Sequence, residues 1–123
     1  MIYGIGIDIV KVERIKEVVE KWGEKFLRRV FTDNEISRCY EKKDPFPSLA
    51  VRFAAKEALI KAVGSMISAF TDMEILNDPH GKPFVRTSGK LEGFLRENSL
   101  RAPQVSLSHE REYAVAFVVL ERG

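Results

Sequence analysis

Apolar and polar residues alternate along the first ten positions of the chain, and this period of two predicts a β-strand over residues 2–10. The side chains of a strand point alternately to its two faces. One face carries isoleucines and the other carries glycines and a carboxylate: Ile5, Ile7 and Ile9 against Gly4, Gly6 and Asp8. Because glycines leave space beside them, we expect Asp8 where another group can approach closely.

Two helix signals follow this strand. Over residues 11–22 apolar residues recur at i, i+3, i+7 and i+10 until Gly23, which favours a helix end. This apolar stripe consists of Val12, Ile15, Val19 and Trp22. The stretch FTDNEI at 31–36 has the form of a capping box, in which Thr32 and Glu35 each bond the other's backbone.

A longer helix is predicted from Ser48, its expected N-cap, to Gly64, and it contains the stretch RFAAKEALIKAVG. The stretch has almost no polar face, yet it holds four charges: Arg52, Lys56, Glu57 and Lys61. Charged side chains are rarely buried unless they are paired or bind something. At about 100° per residue the first two share one face and the last two another. A solvated Glu57–Lys61 ion pair explains them as well as a functional site does.

The rest of the chain predicts two hairpins around a short helix. Strands are predicted at 73–77 and 83–87, a helix at 88–98, and strands at 104–109 and 113–121. Because helices and strands do not alternate strictly, we predict an α+β fold with an antiparallel sheet packed against the long helix, not a doubly wound sheet.

Composition narrows the class of protein. With 123 residues, 45% hydrophobic and 31% charged, the chain is expected to form a single small soluble domain over residues 1–123. The net charge of +2 argues against nucleic acid as a partner. The single cysteine, Cys39, excludes an internal disulfide and favours the cytoplasm. We expect no signal peptide and no membrane span, since apolar runs are short and the first contains Asp8.

Two carboxylates among several cations suggest a metal–phosphate site. Mg²⁺ commonly takes one or two carboxylates and completes its shell with phosphate oxygens and water, so Asp8 and Glu57 are candidate ligands. Arg and Lys would neutralise the remaining phosphate charge. The alternative for Asp8 is a carboxylate capping the helix that follows.

The C-terminal hairpin adds a histidine. Val105, Leu107 and His109 share one strand face, so His109 is expected on the core side, where a histidine is more often a satisfied core residue than a catalyst. Ser108 beside it is an ordinary residue for a strand end.

Taken together, five motifs resemble the holo-[acyl-carrier-protein] synthase family, the small single-domain phosphopantetheinyl transferases. The resemblance spans residues 2–121 and rests on GIGIDIVKVERI at 4–15, FTDNEI at 31–36, RFAAKEALIKAVG at 52–64, GKP at 81–83 and SLSHEREYAVAFVV at 106–119. It implies the 4′-phosphopantetheinyl transferase fold and Mg²⁺-dependent transfer of 4′-phosphopantetheine from coenzyme A to a serine of apo-acyl carrier protein, in fatty acid biosynthesis. It also implies a homotrimer with active sites between subunits. The strand at 113–119, apolar on both faces, agrees with this.

The resemblance also implies residue roles. Asp8 and Glu57 resemble the magnesium ligands and belong to the catalytic set with Lys61, which resembles the lysine near the pyrophosphate. The remaining coenzyme contacts would be Arg52, Ser108 and His109 at the nucleotide phosphates and Gly81, Lys82 and Pro83 along the adenosine. Lys56 receives no role, and we expect a surface or carrier-facing charge. The sequence does not decide which base takes the serine proton. Glu57, Asp8 and a metal-bound water are all candidates.

The carrier is acidic, so a basic docking face is expected on the first helix. Four residues fall within an arc of about 80° on that helix: Lys11, Arg14, Val18 and Lys21. Arg14, with Val18 one turn on, resembles the family's carrier-binding position, and Lys21 is expected to belong to the same face. Without the resemblance they would be a solvated face. Two other functions are compatible with the same residues: non-catalytic binding of an acidic carrier, and Mg²⁺-dependent hydrolysis of a phosphate compound.

Overall fold

The computed structural model describes residues 1–66 and 68–123, which form five α-helices, one short 3₁₀ turn (Phe70–Asp72) and five strands. In chain order these are β1 (Ile2–Lys11), α1 (Val12–Trp22), α2 (Glu24–Val30), α3 (Asp33–Tyr40), α4 (Phe46–Val63), β2 (Met73–Asn77), β3 (Pro83–Thr87), α5 (Gly89–Glu97), β4 (Gln104–His109) and β5 (Tyr113–Glu121). A three-stranded antiparallel sheet in the order β1-β5-β4 packs against α4, and β2 and β3 form a separate hairpin. The predicted α+β class and the sheet against the long helix are confirmed. None of the helices so described is both long and apolar enough to cross a membrane.

The two glycines of β1 allow α4 to lie directly on the strand. A Cβ on Gly4 would overlap the carbonyl oxygen of Ala62, and one on Gly6 would overlap that of Ala58. Both alanines are buried on the face of α4 that meets the sheet. Space is open beside Asp8, as predicted, but next to Gly4 and Gly6 the backbone of α4 fills it.

The observed helix ends show which of the predicted capping residues are correct. The capping box is confirmed, since the Thr32 amide donates to Glu35 Oε1 over 2.9 Å and the Glu35 amide donates to Thr32 Oγ1 over 3.2 Å. Gly64 ends α4 with a φ of 103°. The predicted N-cap at Ser48 is wrong, because α4 begins at Phe46, whose amide donates to Asp44 Oδ1. A proline in the first helical turn loses no hydrogen bond, so Pro45 and Pro47 permit this earlier start.

Lys56 is completely buried, so its predicted surface or carrier-facing position is wrong. Its ammonium donates to Glu35 Oε1 and to the carbonyl oxygens of Val30 and Phe70. Burial lowers the pKa of Lys56, and the neighbouring Glu35 carboxylate counteracts this. Removing one partner of such a pair typically costs about 3–5 kcal/mol, because the other charge stays buried alone.

The face of the sheet turned away from α4 is apolar and exposed in the single chain. This outer sheet face comprises Ile5, Ile7 and Ile9 of β1 with Tyr113 and Phe117 of β5. The three isoleucines are each more than half exposed, and Ile7 lies opposite Phe117 in the ladder. An exposed apolar face of this kind usually marks an interaction surface.

Candidate active site

Asp8 and Glu57 line one cavity of about 350 Å³, which we call the carboxylate cavity. β1 supplies Asp8 near its end, and α4 supplies Glu57 from its middle. Arg14 and Val18 of α1 also line this cavity, as does Phe53, which lies one helical turn before Glu57. The expectation that the two carboxylates lie together is therefore met in the fold.

Two carboxylates and two cations meet at this cavity, and one carboxylate, Asp8, is paired with Lys61. Lys61 Nζ lies 3.0 Å from Asp8 Oδ1 and 2.9 Å from the carbonyl oxygen of Ile7. The ion pair expected between Glu57 and Lys61 is thus replaced by one between Asp8 and Lys61. Partial burial raises the pKa of Glu57, the Asp8 carboxylate raises it further, and Lys61 partly offsets both. A cation placed between the two carboxylates would relieve this repulsion.

The donor set fits Mg²⁺ held partly by protein and partly by substrate. No cluster of three or more His, Cys, Asp or Glu side chains occurs in residues 1–66 or 68–123, so a closed protein cage is not formed there. Two carboxylates are what Mg²⁺ usually takes from a protein when phosphate oxygens complete its octahedron. The capping alternative for Asp8 is wrong, because Lys11 is the N-cap of α1 and no side chain caps it.

A second cavity, of about 640 Å³, lies on the other side of α4, and we call it the Arg52 cavity. Arg52, Gly81, Pro83 and His109 line it, as do Arg38 and Lys42. His109 lies on the strand face that meets the core, as predicted, because it pairs with buried Ala114 in the ladder, but it is exposed at the strand end and is not a core residue. Lys82 and Ser108 are exposed neighbours of lining residues and do not line the cavity themselves.

Arg52 is positioned to bind an anion. Its side chain is 7% exposed, with Nη1 donating to Ser48 Oγ over 2.6 Å and Nη2 donating to Asn77 Oδ1 over 3.2 Å. Its buried Nε has no hydrogen-bond partner within the part of the chain that the structure describes. Its two partners are neutral, so the guanidinium charge is available to a phosphate entering the cavity.

One chain does not bring the carboxylates and Arg52 into the same cavity. Arg52 and Glu57 are five residues apart on α4, which turns their side chains about 140° from each other. The residues lining the two cavities do not overlap. The site expected from the sequence is therefore present as two halves on opposite sides of one helix.

A groove between α1 and α2 continues the carboxylate cavity, with Val18 and Phe26 common to both. Trp22, Lys25 and Arg29 line this α1–α2 groove together with the predicted Val18, whereas the predicted Arg14 lines the adjoining carboxylate cavity. The predicted Lys21 stands beside it with its ammonium 5.4 Å from the centre of the Trp22 ring.

The α2 side of this groove was not predicted, because the pattern of residues 24–30 was not assigned to a helix. Trp22 was placed in the apolar stripe of α1, but its side chain is 54% exposed. The available signal was the stretch EKFLRRV, which places basic residues around Phe26 and Leu27.

Comparison with known proteins gives one consistent family. The sequence model described as the 4′-phosphopantetheinyl transferase superfamily matches residues 4–118. A holo-[acyl-carrier-protein] synthase of Halothermothrix orenii is 46% identical over the whole of both chains, and one of Thermodesulfovibrio yellowstonii is 48% identical over 98% of this chain and 99% of its own.

Solved structures agree. The holo-[acyl-carrier-protein] synthase of Neisseria meningitidis superposes with a TM-score of 0.91 at 39% identity, covering 99% of this chain and 100% of its own. That of Bacillus anthracis, in complex with CoA (3′,5′-ADP), gives 0.82 at 40% identity, covering 100% and 99%.

Proposed function

Since the chain belongs to the 4′-phosphopantetheinyl transferase superfamily, we propose that it transfers the 4′-phosphopantetheine arm of coenzyme A to a serine hydroxyl of apo-acyl carrier protein. The other product is adenosine 3′,5′-bisphosphate. The observation that carries the proposal is the meeting of Asp8 and Glu57 in one cavity beside Lys61.

The carboxylate cavity suits phosphoryl transfer, which needs positioning and charge neutralisation more than covalent help. Asp8 and Glu57 would hold Mg²⁺, which supplies a Lewis acid that neutralises and orients the pyrophosphate oxygens. Lys61 adds a positive charge where the leaving phosphate gains negative charge. The serine of the carrier is the nucleophile, and Asp8 and Glu57 are the protein groups at the cavity able to accept its proton.

We assign the nucleotide part of coenzyme A to the Arg52 cavity. Arg52 presents a nearly buried guanidinium whose Nε has no hydrogen-bond partner among residues 1–66 and 68–123, and Arg38, Lys42 and His109 line the same space. Such donors match the charge and geometry of phosphate groups. Gly81 and Pro83 give the backbone wall expected along the adenosine.

A complete site then requires two copies of the chain, and we propose a homotrimer. Each copy has the carboxylates on one side of α4 and Arg52 on the other, so neighbouring copies in a ring can join unlike halves. The outer sheet face supplies the apolar surface that such an assembly would bury. This also accounts for a β5 that is apolar on both faces.

The α1–α2 groove is the proposed docking surface for the acidic carrier. Basic residues surround exposed aromatic surface there, a combination common in protein interfaces. The groove opens into the carboxylate cavity, so a docked carrier would present its serine to Asp8 and Glu57.

Arg14→Ala is expected to raise the KM for the carrier about three- to tenfold and to weaken its salt dependence, while the KM for coenzyme A changes less than twofold. The reason is that a charge at the edge of a docking surface acts mainly on the rate of association. Steady-state kinetics at several salt concentrations measure this. Lys90→Ala, which removes an exposed charge on α5, is the matched control. Equal losses for carrier and coenzyme A would contradict docking at Arg14.

The test of the function is the intact mass of an apo-acyl carrier protein after incubation with this chain, coenzyme A and Mg²⁺. A gain of about 340 Da, one phosphopantetheine arm, is expected with Mg²⁺ and not with EDTA. An unmodified carrier that still binds the chain would indicate a non-catalytic binding module. Cleavage of coenzyme A without any carrier would indicate a phosphohydrolase.

We place this reaction in fatty acid biosynthesis in the cytoplasm, carried out by a single transferase domain over residues 1–123. The family match over residues 4–118 supports the single domain. The buried free thiol of Cys39 is compatible with a reducing compartment.

A further inference from the structure

Lys56 has an unusually complete set of partners for a side chain next to a proposed catalytic residue. Its Nζ lies 2.7 Å from Glu35 Oε1, 2.7 Å from the carbonyl oxygen of Val30 and 3.1 Å from that of Phe70. An ammonium has three protons to donate, and here each has an acceptor. The side chain is fully buried and cannot contact substrate itself.

These partners tie α4 to the end of α2. Val30 is the last residue of α2, and Phe70 begins the short 3₁₀ turn before β2. Glu35, at the start of α3, also accepts the amide of Ile75 in β2 over 2.8 Å. One buried ion pair therefore joins α2, α3 and β2 to the residue that precedes Glu57.

Aromatic contacts continue from Lys56 to the wall of the site. The ammonium lies 5.4 Å from the centre of the Phe31 ring, and Phe31 meets Phe26 edge-on at 6.2 Å. Phe26 lies 6.4 Å from Phe53, and Phe53 stacks on Phe70 at 6.1 Å. Phe26 and Phe53 line the carboxylate cavity, and Phe26 also lines the α1–α2 groove.

We propose that Lys56 is a positioning residue for the transfer reaction, and that its bonds to Val30 and Phe70 hold the α2 wall of the docking groove in register with Glu57. The inference rests on the proposed function and on docking of the carrier at that groove. An apolar side chain of similar volume would fill the space, but the carbonyl oxygen of Val30 would lose the Lys56 ammonium and that of Phe70 would keep only the amide of Met73. The end of α2 and Phe26 would then no longer be fixed relative to α4.

The test compares Lys56→Met with the double variant Glu35→Gln/Lys56→Met. The first leaves the Glu35 charge buried alone and should lower the Tm. The second removes both charges and should recover part of the loss, since the glutamine oxygen can still accept one of the two backbone amides that Glu35 accepts. Both should raise the KM for the carrier at least tenfold, because both lack the bonds to Val30 and Phe70. The Kd for adenosine 3′,5′-bisphosphate should change less than twofold.

Leu95→Ala is the control for loss of stability, since it opens a cavity in the core under α5, away from the groove. Assayed well below its Tm, it should keep a carrier KM within twofold of the wild type. A double variant with a normal carrier KM would overturn the proposal, because the pair would then be structural only. So would an equal rise of KM in Leu95→Ala, or failure of both Lys56 variants to fold, which would make the pair a requirement of the fold alone.

Wild-type protein is assayed first. No holo-carrier from wild type would count against the proposed function, whereas product formation with an unchanged carrier KM in the variants would count against this inference only. Titration of apo-carrier without coenzyme A measures docking in every variant independently of turnover.

Discussion

Replacing Asp8 or Glu57 with alanine is expected to abolish Mg²⁺-dependent transfer, with a loss of kcat/KM of about a thousandfold or more. Each carboxylate would supply half of the protein's hold on the metal, and charge stabilisation by a bound metal contributes several kcal/mol to the transition state. Intact-mass assays of the carrier over a range of Mg²⁺ concentrations measure the loss. Glu97→Ala, an exposed carboxylate of α5, should leave the rate unchanged.

The same substitutions should leave the fold in place. Asp8 loses only its pair with Lys61, whose side chain is 54% exposed, and such pairs contribute about 0–1 kcal/mol. Glu57→Ala removes a carboxylate whose pKa is raised by burial and by Asp8, so the free energy of unfolding should not fall much. Retained activity in both folded variants would refute the metal assignment.

Mixing two inactive variants should restore activity if neighbouring copies share the site. Arg52→Met removes the proposed phosphate-binding charge from the Arg52 cavity, and Asp8→Ala removes a proposed metal ligand from the carboxylate cavity. In randomly mixed trimers made from equal amounts, about one quarter of the sites would join an intact carboxylate half to an intact Arg52 half. Activity near one quarter of wild type is therefore expected from the mixture, and almost none from either variant alone.

A control for this experiment mixes wild type with a chain carrying both substitutions. A site shared between copies predicts about one quarter of full activity, whereas a site within each chain predicts about one half. Native mass spectrometry shows whether mixed trimers have formed. Mixed trimers without recovered activity would mean that the two cavities do not act as one site.

The local signals of the sequence were reliable where they involve residues close in the chain. Alternation predicted β1, and the strands at 73–77, 83–87, 104–109 and 113–121 have the bounds expected. The capping box depends on residues three apart and was also predictable. The start of α4 was misplaced because a serine that resembles an N-cap bonds Arg52 from inside the helix instead.

The position of a charged side chain was harder to predict. The helical period placed Lys56 on the same face of α4 as Arg52, but the carboxylate that pairs with Lys56 lies 21 residues away in the chain. Lys61 likewise pairs with Asp8 across 53 residues and not with Glu57 on its own helix. A helical period reports only neighbours three or four residues apart, so neither partner could be inferred from it.

By itself, the sequence determined the strands, the capping box at Thr32, the α+β class and the residue types of the proposed metal–phosphate site, because these depend on local conformational preferences and on a motif set that resembles one family. Tertiary structure alone decided how those residues are grouped. Two glycines let α4 pack directly onto β1, and this packing places Glu57 beside Asp8 and turns Arg52 into a different cavity. Contacts between distant segments depend on the distance and angle at which whole helices and strands pack. No short stretch of sequence specifies that distance or angle.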